Sequence, residues 1–321
     1  MTSVFVHRDG RTEQVERLDP AWLDPASGIT VWVDLSAPDE DDFTILTNAF
    51  HFHPLAVEDT VAEVPHPKIE SYNGYLYIIL HGIDFKASQH HFATHDTDFF
   101  LGPNYLVTVH DGETRTIGEM RQVCARNDRI LDEGPVALMH RIVDAMVDHY
   151  RPEVEKLETK LDDLEERVFE SPRRDLVRDI LGLKRDISSL RRVVQPQRDV
   201  VGRLARREFA FITDEMAYRF RDVFDHLVRM SEESLMFQDR VTSILDAHLA
   251  SVSNRLADVS KVIAVIAALF GPLTVITGLF GMNVPLPSLL GNPQYQFWEI
   301  IGMMVISSAL LFVWFKNKGW W

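Results

Sequence analysis

Apolar and polar positions change rhythm twice along the 321-residue chain. Up to about residue 133 the apolar residues come in short β-branched or aromatic runs bounded by Gly, Pro and Asn. These are Thr30-Val31-Trp32-Val33, Tyr75-Leu76-Tyr77-Ile78-Ile79-Leu80 and Tyr105-Leu106-Val107-Thr108-Val109. Such runs predict strands, with Gly102-Pro103-Asn104 turning a hairpin between Phe99-Phe100-Leu101 and the last of them. Residues 39–50 and 116–131 carry helical spacing instead, so an α+β domain, a sheet with covering helices, is expected. From 135 onward the spacing is helical almost without interruption. One helix is expected over 135–169, a stop and restart at Ser171-Pro172, and a second helix to about Ala205. A third begins near Thr213-Asp214-Glu215. Along it Met216, Phe220, Val223, Leu227, Met230, Ser234, Phe237, Val241 and Ile244 alternate four and three apart, the spacing of a coiled-coil seam. No Gly or Pro lies between Thr213 and Gly271, so this helix can run unbroken for ~100 Å and be continuous with the apolar stretch at its end.

At Lys261 the rhythm changes again. Residues 262–280 are nineteen consecutive positions without a charge, close to the length that crosses a ~30 Å hydrocarbon layer. Residues 297–315 form a second such run, with only Glu299 charged, followed by Lys316-Asn317-Lys318-Gly319-Trp320-Trp321. The expected organisation is a cytosolic α/β domain over 1–134 and a helical hairpin with a long stalk helix over 135–260. A first transmembrane helix comes next over 261–283, then an extracytoplasmic loop over 284–296, and a second transmembrane helix with a basic tail over 297–321. One two-span subunit cannot enclose a water-filled path, because its unpaired polar groups would face lipid. Several copies must assemble.

Composition sharpens this picture. A mean hydropathy of -0.08 concentrates the apolar excess in the spans. The single cysteine, Cys124, allows no intrachain disulfide and fits a reducing compartment. The first residues, MTSVFVHRDGRTEQ, lack a signal-peptide core, so the large N-terminal part is expected in the cytosol. Lys316 and Lys318, with no Lys or Arg in the connecting loop, place the C-terminus there too, in a cell membrane crossed twice. A net charge of -15 argues against nucleic acid and for cations. The basic stretch 173–207, eleven bases against four acids, lacks interleaved aromatics. Paired antiparallel with 153–170, eight acids against three bases, it would be neutralised. No nucleophile–base pair and no phosphate-cradling Gly-rich loop has usable spacing, so no enzyme is expected.

Between residues 18 and 67 stand ten acids and no Lys or Arg. The 39–42 run reads as a solvated helix N-terminus, whereas Glu58-Asp59 is the better ligand candidate. His90, His91, His95, Asp96 and Asp98 have metal-ligand chemistry. On an alternating strand, however, His95 and Asp96 point to opposite faces, and an exposed hairpin edge is the expectation. His51 and His53 invite the same restraint.

Gly281-Met282-Asn283, at the end of the first span and followed by a second span and a basic aromatic tail, resembles the CorA family of divalent-cation channels, the two-span GxN group. Trp32-Val33-Asp34-Leu35, His53-Pro54-Leu55-Ala56-Val57-Glu58-Asp59, Pro67-Lys68 and the run Tyr105 to Val109 also resemble that family's N-terminal domain. The resemblance implies a homopentamer in lipid, first spans lining the pore and second spans around it. It implies a selectivity filter at Gly281, Met282 and Asn283, where a ring of amide oxygens meets the water shell of Mg2+, an ion that dehydrates reluctantly. Ile263, Ala267, Gly271, Thr274 and Gly278 recur at three- to five-residue steps below Asn283 and mark the pore-lining stripe. For Gly271 and Gly278 close helix packing is an equal reading.

The resemblance also implies a divalent-cation sensor between neighbouring soluble domains, at Glu58, Asp59, Asp144 and Asp222. Capping or salt bridges to the arginine-rich helix is the alternative for these four. Mg2+ is then both transported and regulatory, with Co2+ or Ni2+ as companions. A proton-coupled Zn2+ transporter of the same family is favoured by thirteen histidines and disfavoured by the intact GMN. A non-conducting, membrane-anchored metal sensor is the third reading. The chain departs from the family at Ala257, where many members have Asn, at Gly271, where several have Met, and in its uncharged loop 284–296.

Overall fold

The computed structural model describes residues 2–62, 66–83, 94–112, 114–170, 174–282 and 293–320. Seven strands among these form one mixed sheet: β1 (Thr2–Arg8), β2 (Arg11–Val15), β3 (Thr30–Ser36), β4 (Lys68–Tyr72), β5 (Tyr75–Ile83), β6 (Thr94–Leu101) and β7 (Tyr105–His110). Their order is β2-β1-β3-β7-β6-β5-β4. Every neighbouring pair is antiparallel except β3 and β7, which run parallel with Trp32 opposite Leu106. The expected hairpin turns where the Gly102 N–H donates to the Tyr105 carbonyl at 2.9 Å.

Alternation along the strands gives the sheet two apolar faces. Val4, Val33, Tyr77, Ile79, Phe100 and Val107 lie on the first, closed by α1 (Glu40–Thr44), the π turn Ile45–Ala49 and α2 (Pro54–Asp59), which bring in Leu46, Phe50, Phe52 and Ala56. Phe52 stacks on Phe100 at 4.2 Å. Asp39 caps α1 by accepting the Asp42 N–H at 2.9 Å, as the acidic run predicts. On the second face Phe5 stacks on Trp32 at 5.2 Å. Here α3 (Arg115–Cys124), α4 (Arg129–Asp132) and α5 (Pro135–Asp148) form the cover. The stretch 116–131 is thus two helices. Asn127 Oδ1 takes the Arg129 N–H at 3.2 Å, a side chain competing with the helix ladder.

The expected single helix over 135–169 is also broken. After α5 comes α6 (Arg151–Glu170), and Pro152 is the reason. It has no N–H to donate to the Asp148 carbonyl, so the ladder of α5 stops there, and it stands in the first turn of α6, where that donor is not needed. The break buries Tyr150 completely, and its hydroxyl donates to the His81 carbonyl at 2.7 Å. α7 (Arg174–Ala205) returns antiparallel to α6; residues 171–173, with the predicted cap, lie outside the described residues. The ion pairs crossing this hairpin use the minority charges, Arg167–Asp179 at 2.9 Å and Lys160–Asp186 at 4.0 Å. The acids of α6 turn elsewhere: Asp162 and Glu165 pair with Arg240 of α8 (Asp214–Phe280) at 2.7 and 2.5 Å. All nine seam residues of α8 are buried.

The chain divides into two compact units, Met1–Leu245 and Asp246–Trp321. The second holds the end of α8 and α9 (Gln296–Asn317).

Candidate ion path and cation-sensing residues

Within the second unit both α8 and α9 contain stretches long and apolar enough to cross a membrane. The 22 residues of α9 span ~33 Å, and aromatic side chains sit at both ends: Phe297 and Trp298 at one, Trp314, Phe315 and Trp320 at the other. Aromatic girdles of this kind mark membrane–water interfaces. Lys261, at the start of the first span, lies 5.9 Å from the centre of the Trp320 ring and 3.4 Å from the Gly319 carbonyl.

The five stripe residues Ile263, Ala267, Gly271, Thr274 and Gly278 are exposed in the single chain. The opposite face of the helix, Val265, Ala268, Leu269, Pro272 and Ile276, is buried or half-buried. Thr274 donates its hydroxyl to the Phe270 carbonyl at 2.9 Å, which leaves its oxygen an acceptor. A β-carbon on Gly271 or Gly278 would meet nothing within 4 Å, whereas one on Gly281 would stand 2.9 Å from the Thr277 carbonyl oxygen. Only Gly fits the turn that ends α8. Asn283 lies outside the described residues.

The acidic candidates fall into two groups. At α2, His53 accepts the Leu55 N–H on Nδ1 at 3.2 Å and Pro54 opens the helix, so His53 is a cap. The motif thereby carries Glu58 and Asp59 to the end of α2. Asp59 is held by Lys68 at 2.5 Å, and Lys68 also reaches Glu70 at 3.2 Å. Burial alone would lower the Lys68 ammonium, but its two carboxylate partners hold it above its ordinary value. Glu58 is exposed, and its carboxylate has no hydrogen bond or ion pair among the described residues. The second group joins α5 to α8. Burial pushes the Asp144 carboxyl up, Asp148 and Asp222 add to the push, and His140 and His226 oppose it. Asp144 and Asp222 therefore share one electrostatic neighbourhood. Neither bonds to the arginine-rich α7; Asp222 is exposed and, like Asp144, without an ion pair among the described residues. Among those residues no three His, Cys, Asp or Glu side chains stand close enough to enclose a metal ion within one chain.

The expectation of an exposed edge fails at Asp98, because β7 pairs with the outer side of β6 from Thr97 onward, while the half-buried His95 and Asp96 lie beyond that pairing. The His95 ring lies over Gly82, Asp96 is 2.7 Å from His81 Nδ1, and Asp98 accepts the Tyr77 hydroxyl at 2.6 Å. Burial pushes the Asp98 carboxyl up to about 7 against that hydrogen bond. His90 and His91 lie outside the described residues. Sequence reasoning gave Lys68 no role, although it is the first cation after a run of fifty residues without Lys or Arg, 18–67.

The sequence profile of the CorA-like Mg2+ transporter protein family matches residues 27–317. The chain belongs to the CorA family. CorA-family members are transporters or channels, so the chain is a divalent-cation transporter carried by two apolar C-terminal helices. Over 309 residues it is 31% identical to YfjQ of Bacillus subtilis, covering 96% of this chain and 92% of that one. It is 30% identical over 321 residues to the cobalt/magnesium transport protein CorA of Thermotoga maritima, covering 99% and 90%. The solved CorA magnesium transporter of Methanocaldococcus jannaschii shares the fold with a TM-score of 0.84, at 19% identity, over 100% of this chain and 99% of that one.

Proposed function

We propose that the protein is a homopentameric Mg2+ channel of the cell membrane, also passing Co2+ or Ni2+, with both termini in the cytoplasm. The observation that carries this reading is the uncovered stripe from Ile263 to Gly278, which ends at Gly281, Met282 and Asn283. Five such stripes facing one another make a path of small and polar groups, and the Asn283 amides at its outer end read the hydrated ion. The membrane potential drives entry, worth about 2.3 kcal/mol per elementary charge per 100 mV and twice that for a divalent ion. Glu58, Asp59, Asp144 and Asp222 supply hard oxygen ligands between neighbouring subunits. Three of the four lack an ion pair among the described residues, so a cation between subunits would relieve their repulsion. Loss of that cation loosens the interfaces, and α8 carries the movement to the Ile263 region.

Uptake into liposomes tests the reading. Mg2+ entry should follow the imposed potential and ignore a pH gradient; Zn2+ entry alone, or entry that needs the gradient, rejects it. Asn283→Ala should abolish uptake while the oligomer survives in size-exclusion chromatography. Retained uptake removes Asn283 from the filter.

A further inference from the structure

A cavity of about 830 Å3 opens beside the ends of β5, β6 and β7, with α2 and α7 contributing to its wall. Its lining mixes carboxylates and apolar carbon, Asp59, Asp96, Asp98 and Asp111 with Ile79, Val109 and Val193, and carries one guanidinium, Arg192. Four histidines also line it, His66, His81, His95 and His110, of which His81 is 4% exposed and His110 2%. Each of these two has one ring nitrogen beside an aspartate, His81 Nδ1 at 2.7 Å from Asp96 and His110 Nε2 at 3.1 Å from Asp34. His81 Nε2 and His110 Nδ1 are buried without a partner, and His81 Nδ1, for all its closeness to Asp96, makes no hydrogen bond either. The hydrogen bond to Asp34 draws the His110 proton to Nε2, so its Nδ1 presents a lone pair, and the neutral His81 ring presents one on whichever nitrogen lacks the proton. Such buried acceptors are costly unless a donor arrives.

The donor is not a chelated metal, because no three ligand side chains converge among the described residues. The acceptors are spread around a space within the ~300–1,000 Å3 typical of small-molecule sites, with methylene-compatible walls between them. We propose that this cavity binds a linear aliphatic polyamine. One ammonium sits at the Asp96–His81 pair and another at the His110–Asp111 end of β7, as charge-assisted hydrogen bonds. The methylenes lie against Ile79, Val109 and Val193. This site is separate from the ion path and does not depend on which cation the pore passes.

Calorimetry of the full-length protein in detergent, titrated with spermidine, tests the proposal. We expect one spermidine per subunit, at least tenfold weaker binding in Asp96→Asn and in Asp111→Asn, and none in Ala62→Trp. Ala62 is an exposed residue of the cavity wall, so the indole fills space without removing a charge or a core contact. Asp111 is exposed as well, so these two variants decide the matter if Asp96→Asn fails to fold. Methylamine and Ni2+ at the same concentration should not displace spermidine. Absence of binding, wild-type binding in Asp111→Asn and Ala62→Trp, or displacement by either small cation would overturn the proposal.

Discussion

Asp98 shows how one buried carboxyl sets a pH dependence. In the unfolded chain it titrates near 3.8 and in the fold near 7, because burial penalises its charge more than Tyr77 relieves it. The fold thus favours the protonated form, and that stabilisation is complete below about 3.8 and lost as pH rises through about 7. Asp98→Asn keeps an acceptor for Tyr77 and has nothing to ionise. Thermal melts at pH 5 and pH 8 should show the wild type losing more stability than the variant over that interval, and parallel losses would refute the assignment. Lys68 poses a different residue-scale question. Its pair with Asp59 is about one-third exposed and worth ~0–1 kcal/mol, yet a divalent ion arriving at Asp59 has to displace it. Lys68→Met should let Mg2+ protect the soluble part from protease at roughly two- to fivefold lower concentration, the factor equivalent to that energy. Unchanged protection would place Asp59 outside the sensor.

At the scale of elements, the seam of α8 is where periodicity spoke most clearly, since all nine positions read from spacing are buried. Leu227→Ala should cost about 2–5 kcal/mol in denaturant unfolding, while Tyr218→Ala, on the exposed side of the same helix, should cost little. Three strands escaped the sequence reading, and two of them, β2 and β4, are the edges of the sheet. Their residues Arg11 to Val15 and Lys68 to Tyr72 carry charges that protect an edge and erase the alternation by which a strand is recognised. The break at Pro152 was missed, although a proline inside a helical pattern marks a boundary. The partners of the α6 acids were not legible, since Arg240 lies some eighty residues away in sequence from Asp162.

For the whole molecule, the two apolar spans were legible from spacing, whereas the cavity was not. Its walls come from segments as far apart as Asp59 and Val193, and no local pattern announces such a meeting. The proposed sensor makes its own large-scale prediction. Asp59→Asn with Asp222→Asn should remove the protease resistance conferred by millimolar Mg2+, and full protection in the double variant would mean that the sensor lies elsewhere. The topology of the sheet also constrains the order in which the chain folds. Strands β1 to β3 and β4 to β7 are each joined to near neighbours in sequence, and only the parallel β3–β7 pair links the two sets. Closing it spans some seventy residues, so its loop entropy is the largest in the sheet. The side chains that cross this join, Trp32 to Thr108 at 3.1 Å and Thr108 to Asp34 at 2.6 Å, can form only once both halves exist. The sheet should therefore assemble as two local halves that zip together late, with conservative changes at Val33 and Val107 accelerating unfolding rather than slowing folding.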